Sequence, residues 1–302
     1  MKKKITKIII FIIIMFLVIG TVCYRTIFVC NNEKLENITY KSNNLIIQEI
    51  NKGNTENKDL IILGSGYSLT VNANDKIIEH DPLMIMPKNN FLEETVLSVF
   101  FPFESNGLEE AGRELAEFIN VNEHNYDSVT LIGLSKCGVC FANATKWITN
   151  KKKITIITIS APFKGTDKAQ IAKEKLNFFE KFLFLSIYSN HNVDQDLIPN
   201  SKFMQNADYS GLADCKKHIN IISICPKKTN NYLDNILCYL DKKLEINGDG
   251  IISFDSQKIL YPNTIEIQIE ATHAYSMQKG IEMFLSEKEG SSIKSYHFIL
   301  TT

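Results

Sequence analysis

The stretch Ser128-Val129-Thr130-Leu131-Ile132-Gly133-Leu134-Ser135-Lys136-Cys137-Gly138-Val139-Cys140 decides how this chain folds. Val129 to Leu134 is mostly apolar and lacks the polar alternation of a half-exposed strand, so it reads as a strand buried on both faces. The run stops at Ser135, and an amphipathic helix is predicted from Val139 to Trp147. A serine on a tight strand-to-helix turn is what acyl-transfer chemistry needs. The strained turn presents the hydroxyl, and the backbone beside it lies at a helix N-terminus. Small residues two before and two after the serine let neighbouring chain pass close. They are Gly133 and Cys137 here, with Gly138 following.

Working outward, short β-branched runs recur at Leu45–Ile50, Leu60–Leu63, Val96–Phe101, Ile154–Ile159, Ile219–Cys225 and Ile265–Ile269. Buried strands need helices on both sheet faces. Leu108–Ile119 and Ala274–Leu285 join Val139–Trp147 as amphipathic candidates. The order strand, helix, strand, helix predicts an α/β fold with an open, mostly parallel sheet in one domain over residues 45–302. Residues 166–218 interrupt it with more chain than a crossover needs. They carry Phe178, Phe179, Phe182, Phe184 and Tyr188. Such a group reads either as a buried helix face or as a cap or lid contacting an acyl chain.

The first 30 residues differ in kind. Lys2, Lys3, Lys4 and Lys7 precede an apolar run from Ile8 to Tyr24, which Arg25 closes. At about 17 residues the run suits a short membrane span, and Gly20-Thr21-Val22-Cys23 has no Ala-x-Ala cleavage pattern. Residues 1–30 are therefore expected to form a transmembrane signal anchor, the alternative being secretion after cleavage. The lysines should stay cytoplasmic, which places the remainder outside. Residues 31–44, rich in Asn, Lys, Glu and Ser, are expected to form a stalk. Without Lys2, Lys3, Lys4, Lys7 and Arg25 the chain holds 28 basic against 34 acidic side chains, a net of −6, which argues against nucleic acid as a partner. Cys137, Cys140, Cys215, Cys225 and Cys238 match no zinc-ligand spacing, and their number and spacing assign no disulfide framework.

The serine segment resembles the nucleophile elbow of the α/β-hydrolase family, in particular its bacterial lipase and esterase branch. Leu60-Ile61-Ile62-Leu63-Gly64-Ser65-Gly66-Tyr67 looks like the strand and His-Gly type loop that supplies an oxyanion-hole amide, although Leu63 stands near where histidine is usual. Ile159-Ser160-Ala161-Pro162-Phe163-Lys164-Gly165-Thr166 is similar to a Thr-Pro-His-x-Gly-Ser segment, with Phe163 at the histidine position. Ile198-Pro199-Asn200-Ser201-Lys202-Phe203-Met204 is similar to a Pro-Gly-Ser-x-Phe-Leu element of the cap. Gly248-Asp249-Gly250-Ile251-Ile252-Ser253 resembles the Asn-Asp-Gly-x-Val turn that carries the family's acid. These segments span residues 59 to 285.

The resemblance implies the chain order serine, acid, histidine. That order sets aside His80 and His124, which precede Ser135, and His191 and His218, which precede the acid. His297 falls after the final helix. His273 remains as the base. Asp249, between two glycines, is favoured as the acid over Asp255, with Asp234 and Asp241 behind. The implied activity is hydrolysis of a carboxylic ester through Ser135, His273 and Asp249, by way of an acyl-enzyme. Backbone amides of Lys136 and of Ser65 or Gly66 would meet the oxyanion. No metal or organic cofactor is required. An acyltransferase or thioesterase of the same fold, and a catalytically inactive hydrolase fold acting as a surface binding protein, are the competing readings. A small-molecule or lipid ester is the implied partner.

Overall fold

The computed structural model describes residues 35–54, 56–64, 70–71, 91–102, 107–166, 175, 195–229, 232–288 and 297–299. The apolar segment expected to form an anchor, Ser65, Gly66, His80, His191 and the aromatic group from Phe178 to Tyr188 lie outside the described residues. Among the described residues no helix is long and apolar enough to cross a membrane.

The uninterrupted apolar runs are strands. In chain order the strands are β1 (Ile38–Lys41), β2 (Ile46–Asn51), β3 (Asp59–Gly64), β4 (Thr70–Val71), β5 (Thr95–Pro102), β6 (Ser128–Leu134), β7 (Ile154–Ile159), β8 (Lys217–Ile224), β9 (Thr264–Glu270) and β10 (His297–Ile299). Among the described residues these ten form one sheet in the order β1-β2-β5-β3-β6-β7-β8-β9-β10, with β4 beside β5. The six central strands, from β5 to β9 in that order, are parallel. β1, β2 and β10 add antiparallel edges. Helices α1 (Leu108–Asn122), α2 (Lys136–Ala144), α3 (Lys202–Asn206), α4 (Tyr232–Lys243), α5 (Phe254–Gln257) and α6 (His273–Lys288) alternate with the later strands.

The parallel strands lack alternation because apolar layers lie on both faces. Leu60, Ile62, Val129, Leu131 and Ile156 face Leu115 and Ile119 of α1 and Phe141 of α2. Ile61, Ile132, Ile157, Ile219 and Ile267 face Met277 and Ile281 of α6. From β3 the chain moves outward to β5, then crosses back to place β6 on the other side of β3. The strand order thus reverses between β3 and β6, and open α/β sheets bind ligands at the carboxyl ends of the strands beside such a reversal.

Two boundaries differ from the sequence reading. Within residues 31–44, expected to form a stalk, Ile38–Lys41 is edge strand β1 of the sheet. Leu35 is buried with Ile46 and Phe100, Ile38 packs on that cluster, and Tyr40 meets Phe118 edge-on at 5.9 Å. Apolar side chains at Leu35, Ile38 and Tyr40 suffice for an edge strand with one covered face, however polar the residues between them. Of the residues expected to form a cap, 166–218, the stretches 167–174 and 176–194 lie outside the described residues. From Gln195 to Cys215 the chain packs on the main core through Leu197, Phe203, Tyr209, Leu212 and Cys215. Its amino end anchors α1 as well, since Asp196 Oδ2 accepts from Leu108 N–H at 2.7 Å.

Several polar side chains are buried within the sheet, Thr158, His218 and Asn220 among them. His218 of β8 is fully buried, with Nε2 3.0 Å from Thr158 Oγ1 and Nδ1 2.8 Å from Thr264 Oγ1. Burial pushes its pKa down from 6.5 to about 3, so the folded protein keeps the ring neutral. The unfolded chain binds a proton between those values and the folded chain does not. This contribution is therefore complete above the unfolded pKa and is lost as pH falls from 6.5 toward about 3. Denaturant titrations should show a loss of about 2 kcal/mol from this group between pH 7 and pH 5. The loss should be absent in His218→Gln.

Candidate active site

β6 ends at Leu134, α2 begins at Lys136, and Ser135 alone makes the turn. Its backbone stands at φ 52°, ψ −122°, a conformation that side-chain-bearing residues adopt only under constraint. The constraint is close packing. A Cβ on Gly133 would lie 2.7 Å from Gly138 N, and one on Gly138 would lie 2.8 Å from Ala161 Cβ. Both distances are shorter than real side chains tolerate, so strand and helix approach this closely only with glycine at these positions. Cys137 is accommodated from the opposite side. Its Cβ and Sγ lie 2.6 and 2.7 Å from where a Cβ on Gly64 would be, at the end of β3. The glycine of the β3 loop leaves the room that a glycine at 137 would otherwise leave.

Ser135 N–H donates to Ile159 O at 2.8 Å, tying the elbow to the end of β7, and the residue is buried. Bonding within α2 starts with Val139 N–H to Ser135 O at 3.3 Å. Lys136 therefore occupies the first position of the helix, where amide dipoles favour negative charge. Its ammonium stands 4.4 Å from the centre of the Phe101 ring. Ser65 and Gly66, the other expected oxyanion donors, lie outside the described residues.

Asp249 and His273 meet. His273 Nδ1 is 2.7 Å from Asp249 Oδ2, and His273 N–H donates to Asp249 O at 2.9 Å. The second carboxylate oxygen accepts from Ile251 N–H at 2.9 Å and Ile252 N–H at 2.7 Å. Full burial alone would raise the Asp249 pKa. Attraction to His273, the hydrogen bond to it and the two amides outweigh that burial, and hold the carboxyl below its ordinary value. The carboxylate's contribution to stability is thus present above the ordinary pKa and lost as pH falls through the lowered one. With Nδ1 fixed on a carboxylate, His273 directs Nε2 away from it. Nε2 is buried and, among the described residues, has no hydrogen-bond partner.

The glycines around Asp249 are dictated by the same crowding. A Cβ on Gly248 would fall 1.8 Å from Ile252 O, and Gly250 takes φ +95°. The turn is held from α4 and β8. Gly248 N–H donates to Asp241 Oδ2 at 2.6 Å, and Gly248 O accepts from Cys225 N–H at 2.7 Å. Cys225 is disulfide-bonded to Cys238 of α4. Leu237 and Leu240 of the same helix are buried.

The other sequence candidates are placed elsewhere. Asp255 is exposed and stands 3.7 Å from Lys258. Asp241 braces the acid turn, Asp234 lies on α4, and His297 is on edge strand β10. His124 lies exposed on the turn after α1, and His218 is inside the sheet. Cys137, Cys140 and Cys215 are buried and take no part in the Cys225–Cys238 disulfide. Among the described residues no group of three or more His, Cys, Asp or Glu side chains is arranged to hold a metal ion. The disulfide, the bracing by Asp241 and a buried glutamine, Gln257, were not found from sequence. Cys225 before α4 and Cys238 within it are visible in the sequence, but five outer cysteines leave the pairing open.

No protein-family model and no curated protein matches this chain. Among solved structures it is similar to Bacillus licheniformis lipase BlEst2 in mature form. The TM-score is 0.55 at 11% identity, over 83% of this chain and 99% of that one. The propeptide form of the same lipase gives 0.52 at 12% identity, over 87% of this chain and 56% of that one. The fold is α/β-hydrolase-like, a mostly parallel sheet flanked by helices.

Proposed function

We propose that this chain is a serine hydrolase that cleaves carboxylic esters through Ser135, His273 and Asp249. The observation that carries the reading is the Asp249–His273 contact. The carboxylate fixes Nδ1–H, Nε2 is buried with no hydrogen-bond partner among the described residues, and His273 and Ser135 follow β9 and β6, two strands of the same mostly parallel sheet. As Ser135 Oγ attacks the ester carbonyl, His273 Nε2 takes its proton and Asp249 stabilises the imidazolium. The Lys136 amide and one from the Ser65–Gly66 loop receive the oxyanion. Collapse breaks the ester bond, and His273 gives its proton to the departing alkoxide. Water, deprotonated by the same nitrogen, then attacks the acyl-enzyme. The acid leaves and Ser135 regains its hydrogen. The lipase fold neighbour supports an ester as the substrate class.

The membrane-anchored, extracytoplasmic placement belongs to the same proposal. Its support is the Lys-flanked apolar segment from Ile8 to Tyr24, together with a disulfide of the kind that persists in oxidising compartments.

A fluorophosphonate probe tests the chemistry. The full chain should label at one site, with the adduct mass on the peptide containing Ser135, and a panel of p-nitrophenyl esters should be hydrolysed at a rate that labelling abolishes. Labelling elsewhere, or none at all, would rule out Ser135 as the nucleophile.

A further inference from the structure

β8 loses its neighbour before it ends. Pairing with β7 runs to Ile159 opposite Ile221, where Ser160 N–H donates to Ile221 O at 2.9 Å and the chain turns away with Ser160 at φ 48°. Residues two apart in a strand point their amides to the same side, so Ser223 presents its N–H and C=O where β7 is no longer present. Both are inside the protein, where unpaired backbone groups are disfavoured. The side chain of Gln257, itself fully buried at the end of α5, takes the place of the missing strand. Its Oε1 accepts from Ser223 N–H at 2.8 Å and its Nε2 donates to Ser223 O at 3.0 Å.

The same amide nitrogen also lies 3.2 Å from Ile252 O. Ile252 is the residue whose N–H bonds Asp249 Oδ1 and whose C=O accepts from Asp249 N–H at 3.1 Å. One amide group therefore joins the free end of β8 to the turn that aims the acid at His273. The geometry points to Gln257 as a positioning residue for Asp249: it touches neither substrate nor the reacting atoms, and acts by fixing the Asp249–Ile252 turn on the sheet. This inference rests on the proposed role of Asp249 in the Ser135–His273 reaction. α5 is suited to the task because its other polar contacts pin it. Ser253 caps it by accepting from Ser256 N–H at 3.2 Å, and Ser256 Oγ donates to Gly165 O on the loop after β7.

The test is a double-mutant cycle in the full chain with Gln257→Met, which keeps the volume and removes both hydrogen-bonding functions. With the native acid present, kcat for a hydrolysed ester should fall by about 10- to 100-fold, the range expected for a small misplacement of a reacting group, with KM within about 2-fold. In Asp249→Asn the same change should leave kcat where it was, because there is no correctly charged acid left to position. An equal fall in both backgrounds, or an unchanged kcat with native acid, overturns the inference. If Gln257→Met does not accumulate folded, Gln257→Glu, which keeps the acceptor for Ser223 N–H and loses the donors, enters the same cycle.

A second readout separates failure here from failure of the esterase reading. The low-field proton resonance of the His273–Asp249 hydrogen bond, assigned by its loss in Asp249→Asn, is observable whether or not any ester is cleaved. Its displacement or broadening in the Gln257 variant supports the positioning role even in a chain that hydrolyses nothing. Its persistence unchanged overturns that role.

Discussion

Ser135→Ala is expected to lower kcat by roughly 10⁶-fold for any ester the native chain hydrolyses, the loss typical of removing a serine nucleophile from an intact triad. Binding of substrate should change little, because the alanine Cβ keeps the site's shape. A glycine at the same position separates chemistry from strain. Ser135 is held at φ 52°, ψ −122°, and such a backbone costs roughly 1–3 kcal/mol for a residue with a side chain. Glycine removes that strain and loses roughly 0.5–1 kcal/mol to its greater freedom in the unfolded chain. Ser135→Gly should therefore be as inactive as Ser135→Ala and melt about 2 °C or more above it. Turnover by Ser135→Ala at the native rate would dismiss the nucleophile assignment.

The second large effect falls on the acid. Asp249→Asn should lower kcat by about 10⁴-fold with KM little changed. The reason is a matter of donors and acceptors. Ile251 N–H and Ile252 N–H both point at Oδ1, so the asparagine must turn its carbonyl oxygen toward them and its NH₂ toward His273 Nδ1. Facing a donor, Nδ1 must be the unprotonated nitrogen, and the proton moves to Nε2, where it blocks the base. The measurement is kcat against pH on an ester with a good leaving group. A loss that vanishes at any accessible pH would show that the residue's charge, and not its hold on the tautomer, was the quantity removed.

The elements that organise the sheet were readable because burial on both faces leaves a plain sign, a run such as Val129 to Leu134 with no polar alternation. The edges were not. β1 carries only Ile38 and Tyr40 as large apolar residues beside Thr39 and Lys41, and nothing local distinguishes that from a stalk. Helix α4 carries Leu233, Ile236, Leu237 and Leu240 at helical spacing, but that spacing does not reveal that Cys238 and Asp241 brace the acid turn. At the site, the chain order of Ser135, Asp249 and His273 singled out the pair that the structure brings to 2.7 Å. Gln257 lay beyond reach. A glutamine replacing a strand edge has no sequence signature, since its partner groups are backbone atoms that every residue carries.

The contact between Gly64 and Cys137 has a consequence for how this elbow varies. The two positions draw on one volume, and the sequence fills it from the helix side instead of from the β3 side. A pattern scored one residue at a time counts Cys137 as a defect. Scored as a pair, the site is as full as close packing requires. Substitutions here are then conditional on one another. A side chain becomes admissible at 64 only after 137 has become glycine and the Phe141 ring, whose Cζ would lie 2.7 Å from the same Cβ, has moved aside, so the three positions vary together.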